Sequence, residues 1–172
     1  IHWPSIDVRE RRSRRTLRFR HAEEYLDDSL TPLHGSHPDR RIGHRIVVLD
    51  EVASTNDEAR ARTEGLARAI AHGTVVIASR QTAGRGTRGR RWWSPPGAGL
   101  SLSVVIAPNP TLERPVALTL IAAVAVAEAA ESFGARVAIK WPNDVVDAGG
   151  GKVCGILGES ITSPPARHIV GI

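Results

Sequence analysis

The run Gln81-Thr82-Ala83-Gly84-Arg85-Gly86-Thr87-Arg88-Gly89-Arg90-Arg91-Trp92 has the composition of an anion-binding loop. Glycines let backbone N–H groups approach an anion closely, and guanidinium groups present paired planar donors to phosphate or carboxylate oxygens. Residues 84–89 also spell G-x-G-x-x-G after a β-type run, the pattern of a dinucleotide-binding turn. Such a turn must open a helix whose N-terminus faces the pyrophosphate, and Arg90-Arg91-Trp92-Trp93-Ser94-Pro95-Pro96-Gly97 cannot begin one. A P-loop fails too, because Arg90-Arg91 follow Gly89 where Lys and Ser/Thr are required. Three readings remain: an anion-binding loop, a solvated basic loop, or a nucleic-acid loop with stacking tryptophans. The loop alone does not choose between them. Its like charges repel, so it is expected to be mobile until an anion orders it.

Two further segments bear on the choice. Lys140-Trp141-Pro142-Asn143-Asp144 reads as a strand end followed by a proline-stiffened polar turn. A lysine fixed there, on the same sheet as the arginine loop, suits a centre that holds a carboxylate against a phosphate; an isolated Lys-Trp pair is otherwise a surface lysine beside a packed tryptophan. Ser54-Thr55-Asn56 reads as a helix start, where a Thr55 cap is worth ~1 kcal/mol. The same start offers hydroxyls, an amide and free N–H groups to a small polar ligand.

Residue usage supports a localised charge. The net charge is +5, and the segment from Arg80 to Arg91 holds five arginines and no acid, so the remainder is close to neutral. That points to an anion site more than to a general nucleic-acid surface. Among 23 basic residues only Lys140 and Lys152 are lysines, and Gln81 is the only glutamine. A hydrophobic content of 41% and a charged content of 24% are those of an ordinary globular domain, and 172 residues suffice for one core. The single cysteine, Cys154, lies in the apolar run Val153-Cys154-Gly155-Ile156-Leu157 and reads as a core residue, with no disulfide framework. The longest apolar stretch, Val116 to Ala130, is too short and too polar to span a bilayer, so a cytoplasmic setting without membrane contact is expected.

The elements that position these segments follow from periodicity. Strands are predicted at Arg45–Asp50, Thr74–Ala78, Leu100–Ala107, Arg136–Trp141, Lys152–Gly158 and His168–Ile172. A helix is predicted from the capping box Thr55-Asn56-Asp57-Glu58 to His72, stopped by Gly73, and an alanine-rich one from Pro115 to Gly134. The turn Asp147-Ala148-Gly149-Gly150-Gly151 predicts a β-hairpin. Residues 1–44 read as a basic, partly helical extension without a helix-turn-helix, and a solvated charged face accounts for Arg9 to Arg20. The domain proper spans 45–172. The missing methionine and a last strand without a turn predict that the chain is part of a longer product, cut within its catalytic sheet.

In this order and at these separations the segments closely resemble the biotin–protein ligase family. The resemblance runs from about Val48 to Ile172. It rests on Ser54-Thr55-Asn56, Gln81 to Trp92, Ser94-Pro95 with Gly97, Gly99-Leu100, Lys140 to Asp144, and Lys152 followed by Gly155-Ile156-Leu157 and Glu159. It implies an α+β fold of the class II aminoacyl-tRNA-synthetase/biotin-ligase type, a mixed, mostly antiparallel sheet flanked by helices. The implied reaction is ATP-dependent activation of biotin to biotinyl-5′-AMP, then transfer to one lysine of a biotin carboxyl carrier domain such as that of acetyl-CoA carboxylase.

Carried over by position, Ser54, Thr55, Asn56 and Gln81 would bind the biotin head group beside Gly84, Arg85, Gly86 and Thr87, with Gly155 and Ile156 lining the pocket. Lys140 would hold the biotin carboxylate and then the acyl-phosphate oxygens, acting with Arg88 and Arg90 at the phosphates. Trp92, Asn143 and Lys152 would complete the nucleotide site. Mg2+ would accompany ATP, its ligands unassigned. Thr87 departs from the family, whose members most often carry a basic residue there, which predicts faster leakage of the adenylate. A repressor role through DNA is not supported. Two rivals remain, a lipoate–protein ligase-like acyl-adenylate transferase and a nucleic-acid-binding module using the basic loop.

Overall fold

The computed structural model of the chain describes residues 41–67, 71–95, 97–107, 115–162 and 166–172. The expected basic extension lies almost entirely outside them. Among the described residues eight strands and two α-helices are defined, in the order β1 (Arg45–Val52), α1 (Thr55–Thr63), β2 (Thr74–Gln81), β3 (Ser101–Ile106), α2 (Pro115–Ser132), β4 (Val137–Lys140), β5 (Asp144–Asp147), β6 (Lys152–Gly155), β7 (Leu157–Ile161) and β8 (Arg167–Gly171).

Two sheets form where one was expected. The larger has the order β1-β2-β3-β8-β7, and β4-β5-β6 make a separate three-stranded sheet. Only β1 and β2 run parallel, joined through α1; every other pairing is antiparallel. Strand alternation explains how the larger sheet serves two cores. Ile169 of β8 packs into the cluster with Ala59 of α1, Val76 and Val105, whereas its neighbour Val170 joins Leu118 and Ala123 of α2, Val145 and Ile156. One helix therefore covers each face, the α+β arrangement of the resemblance.

Three local readings need correction. First, α1 stops at Thr63, with Glu64 extended and Gly65 at φ +71°, well short of His72; residues 68–70 are not among those described. The buried Arg167 guanidinium of β8 donates to the Thr63 carbonyl at that end, satisfying one of the helix's last acceptors. Second, Ser54 occupies the N-cap position without a side-chain cap bond, so Thr55 is helical and its side chain is used elsewhere. Third, Lys152–Gly158 is not one strand. The chain leaves the small sheet at Ile156, whose N–H donates to Asn143 O (2.8 Å), while Asn143 Nδ2 donates back to Ile156 O (3.1 Å). A strand unpredicted from sequence, β5, completes the expected hairpin with β6.

No helix among the described residues is long and apolar enough to cross a membrane.

Candidate functional site

The start of α1, the end of β2, the arginine loop, the β6–β7 junction and the end of β8 surround a cavity enclosing about 780 Å³, its open mouth included. Its floor is a buried polar network. Thr55 N–H donates to Gln81 Oε1 (2.8 Å), and the Thr55 hydroxyl lies 3.1 Å from the same oxygen. Gln81 Nε2 donates to Ser101 Oγ (3.2 Å), which fixes the orientation of its amide. Ser103 Oγ, fully buried on β3, donates to Asn56 Oδ1 (2.6 Å) and lies 2.8 Å from Thr55 Oγ1. Asn56 Nδ2 donates to Glu159 Oε2 (3.1 Å). Ser54, Thr55 and Asn56 are each under 5% exposed, so this is a preorganised set of neutral donors and acceptors facing a concave space. Gly171 allows it: a Cβ there would lie 2.4 Å from Asn56 Oδ1.

The arginine loop forms the cavity's lid as a short hairpin. Trp92 N–H donates to Gly84 O (2.8 Å), Gly86 N–H to Arg90 O (2.7 Å), and Arg85 bridges to Arg91, leaving a tight turn at the tip in which Arg88 (φ +60°) and Gly89 (φ +73°) are both left-handed. The expectation of five mutually repelling arginines is only partly met. Arg80 pairs with Glu51 (2.6 Å), Arg85 pairs with Asp57 (2.5 Å) and Glu159 (3.2 Å), and Arg90 Nη2 donates to Thr87 Oγ1 (3.1 Å). Hydrogen bonds from Arg85 hold the Asp57 carboxyl below the usual carboxylate range, and the same bonds hold the Arg85 guanidinium above its own.

The third wall carries a lysine. Lys152 Nζ sits 2.7 Å from Asp144 Oδ1 and 5.0 Å from the centroid of the Trp92 ring, a cation–π geometry. It lies across Gly155, where an added Cβ would come within 2.9 Å of Nζ.

Of the residues proposed from sequence, Ser54, Thr55, Asn56, Gln81, Arg85, Gly86, Thr87, Arg90, Trp92, Asn143, Lys152, Gly155 and Ile156 line this one cavity. Gly84, Arg88 and Lys140 do not. Gly84 is buried behind the loop, where a Cβ would meet Trp92 O at 2.8 Å, and Arg88 is exposed at the tip with φ +60°. Lys140 is exposed at the end of β4, on the small sheet and not on the sheet from which the loop springs. Sequence reasoning gave no individual role to Arg91 and Leu157 in the lining or Asp144 behind it, though they lie in its motifs, and missed Gly171 and Ile172 in the lining and Asp57, Ser101 and Ser103 behind it. The alternation of Ser101 and Ser103 on an otherwise apolar strand was the available signal for two of these.

Residues 50–172 match the biotin/lipoate A/B protein ligase family. The chain belongs to that family. Among its relatives, the bifunctional ligase/repressor BirA of Bacillus subtilis is 39% identical over 119 residues, which are 69% of this chain and 35% of the relative. The biotin–[acetyl-CoA-carboxylase] ligase of Paracoccus denitrificans is 40% identical over 128 residues, 73% of this chain and 51% of the relative. Similar solved structures include the Aquifex aeolicus biotin protein ligase in complex with biotin and ATP, with a TM-score of 0.60 and 35% identity over 73% of this chain and 50% of that one. The Leishmania major enzyme in complex with biotinyl-5-AMP gives 0.56 and 33%, covering 73% and 55%. Family members of this type share the α+β catalytic fold described above. The chain spans between a third and about half of the length of these curated relatives.

Proposed function

We propose that the cavity is a biotin-adenylate site and that the protein is a biotin–protein ligase. It would join biotin to AMP and pass the biotinyl group to a lysine of a biotin carboxyl carrier domain, in a cytoplasmic setting. The observation that carries this reading is the pairing of a neutral, buried hydrogen-bonding floor with a cationic mouth in one cavity. A ureido ring asks for fixed donors and acceptors, and a carboxylate facing a phosphate asks for fixed cations.

In the first step a biotin carboxylate oxygen forms a bond to the α-phosphorus of ATP, and the bond to the pyrophosphate oxygen breaks. Both reactants are anions, so cations positioned where charge builds lower the barrier. Lys152 would serve here, since it lines the cavity beside Asp144 and Trp92, and Lys140 at the end of β4 is the second candidate. Arg90 and Arg91 flank the same space as phosphate ligands. In the second step the carrier's lysine amine attacks the acyl carbon and AMP leaves; the ligase contributes proximity.

Among the described residues no three metal-ligating side chains converge, and Asp144 and Glu159 are committed to ion pairs. An Mg2+ ion accompanying ATP would be held mainly by the phosphate oxygens.

The test is calorimetric titration with biotin, with and without ATP, alongside biotin-dependent pyrophosphate exchange. Heat with biotin and exchange abolished by Lys152→Ala is the expected result; exchange lost in Lys140→Ala alone would move the role to Lys140. Heat with lipoate alone would favour a lipoate ligase, and nucleic-acid binding without biotin heat would overturn the proposal.

A further inference from the structure

Arg85 lines the cavity, yet its charge is consumed inside the protein. Nη1 and Nη2 form a two-pronged contact with Asp57 Oδ2 (2.5 Å) and Oδ1 (2.8 Å), and Nη2 also reaches Glu159 Oε1 (3.2 Å) and Oε2 (3.4 Å). Asp57 belongs to the first turn of α1 and Glu159 to β7, so one guanidinium ties the loop to two separate elements. Glu159 Oε2 also accepts from Asn56 Nδ2 (3.1 Å), and Asn56 is 3% exposed in the cavity floor. Loop and floor thus share a carboxylate.

We propose that Asp57 and Glu159 are positioning residues that latch Arg85, and so hold the base of the Gly84–Trp92 hairpin in its ligand-binding position before any ligand arrives. This inference rests on the biotin-adenylate reading for the identity of the ligand. Arg85 then serves the ligand through its backbone, while its side chain is a strut and not an anion ligand. The segment left to move is the tip, Thr87-Arg88-Gly89, beyond the Gly86–Arg90 hydrogen bond. A bidentate guanidinium–carboxylate fork restrains rotation in a way a single contact cannot.

Hydrogen exchange of the 84–92 segment in ligand-free protein tests the latch, paired with steady-state pyrophosphate exchange. Asp57 is half-exposed, so Asp57→Asn leaves the core intact. Loop exchange in Asp57→Asn should rise roughly three- to fivefold, the worth of a partly exposed ion pair, with a similar rise in biotin KM and an unchanged kcat. Exchange in β2 and β3 should stay as in the parent protein. Glu159→Gln should loosen the same segment, and Asp57→Glu should recover part of the protection that Asp57→Asn loses. Loop exchange unchanged in both variants, or loosening spread across β2 and β3, would overturn the proposal. If biotin and ATP protect nothing in the parent protein, the ligand reading fails, while the ligand-free comparison still decides the latch.

Discussion

Substituting Gly155 by alanine separates the stability of the site from its chemistry. Gly155 is outside the left-handed region, so alanine is admissible on backbone grounds, and its effect is the added methyl alone. That methyl would stand 2.8 Å from Lys152 Cε, 2.9 Å from Nζ and 3.1 Å from Trp92 Cζ3. The far end of a lysine moves easily, so the ammonium should swing away and the fold should relax around it. The stability lost is then at most one part-exposed ion pair of about 0.2–1 kcal/mol plus a cation–π contact of about 0.5–1 kcal/mol. The chemical cost is larger. At an effective dielectric of about 20, a unit charge pair at about 3 Å is worth about 5.5 kcal/mol, and at about 5 Å about 3.3 kcal/mol. Losing the difference of about 2.2 kcal/mol of transition-state stabilisation slows adenylate formation about 40-fold. Single-turnover pyrophosphate exchange measures this, with thermal unfolding as the companion. A rate within about threefold of the parent, or a loss accounted for by unfolded protein, would refute the placement of Lys152 at the reacting carboxylate.

The remaining predictions concern the floor, the lid and the thiol. Gly171→Ala forces a methyl to 2.4 Å from Asn56 Oδ1, against a buried amide held by Ser103 and Glu159; a loss of about 2–3 kcal/mol in urea unfolding, with weakened biotin binding by calorimetry, is expected. Thr87→Arg removes the hydroxyl that accepts from Arg90 and adds a cation over the cavity; stopped-flow should show slower biotinyl-AMP dissociation, and an unchanged rate would count against a lid role for this position. Burial pushes the Cys154 thiol up, with Lys152 opposing and Asp144 reinforcing the shift. Iodoacetamide should therefore label the native protein much more slowly than the unfolded chain. Because the folded state holds the proton more tightly, this contribution to stability is full below the ordinary value of 9.0 and is lost as pH rises through the folded value.

Much of the site was legible because its parts are short and chemically unusual. Ser54-Thr55-Asn56, the lone Gln81 and the glycine-arginine run are each contiguous, and apart from Gly84, Arg88 and Gly89 the residues at 54–56, 81 and 84–92 line the cavity. What stayed hidden depends on pairings between distant segments. Both lysines of the chain carry the same local signature, a strand-borne ammonium near a polar turn. Both are exposed, but Lys152 reaches the cavity lining beside Asp144 and Trp92 while Lys140 ends β4 outside it, a difference set by strand pairings and not by any local signature. The Asp57–Arg85–Glu159 contacts likewise span 28 and 74 positions, beyond any periodicity argument. The helix from Thr55 was read too long because the alanines near its end suit a helix, whereas Gly65 and the Arg167 contact at Thr63 close it early.

These pairings also change what the local excess of arginine means. Five arginines between Arg80 and Arg91 match the whole net charge, but Arg80 and Arg85 are neutralised by Glu51, Asp57 and Glu159. Among the described residues no ion pair engages Arg88, Arg90 or Arg91, so the field that an incoming anion meets comes from the outer half of the hairpin. Those side chains are exposed and sit on a loop, where they suit capture of a polyphosphate and tolerate its departure. Lys152 is also exposed, but it is carried by a strand, paired with Asp144 and set against the Trp92 ring. A cation that must be in place as charge develops on a reacting carboxylate has to be fixed in advance. On the proposed biotin-adenylate reading, the outer arginines would meet the polyphosphate and Lys152 would stand by the bond being made.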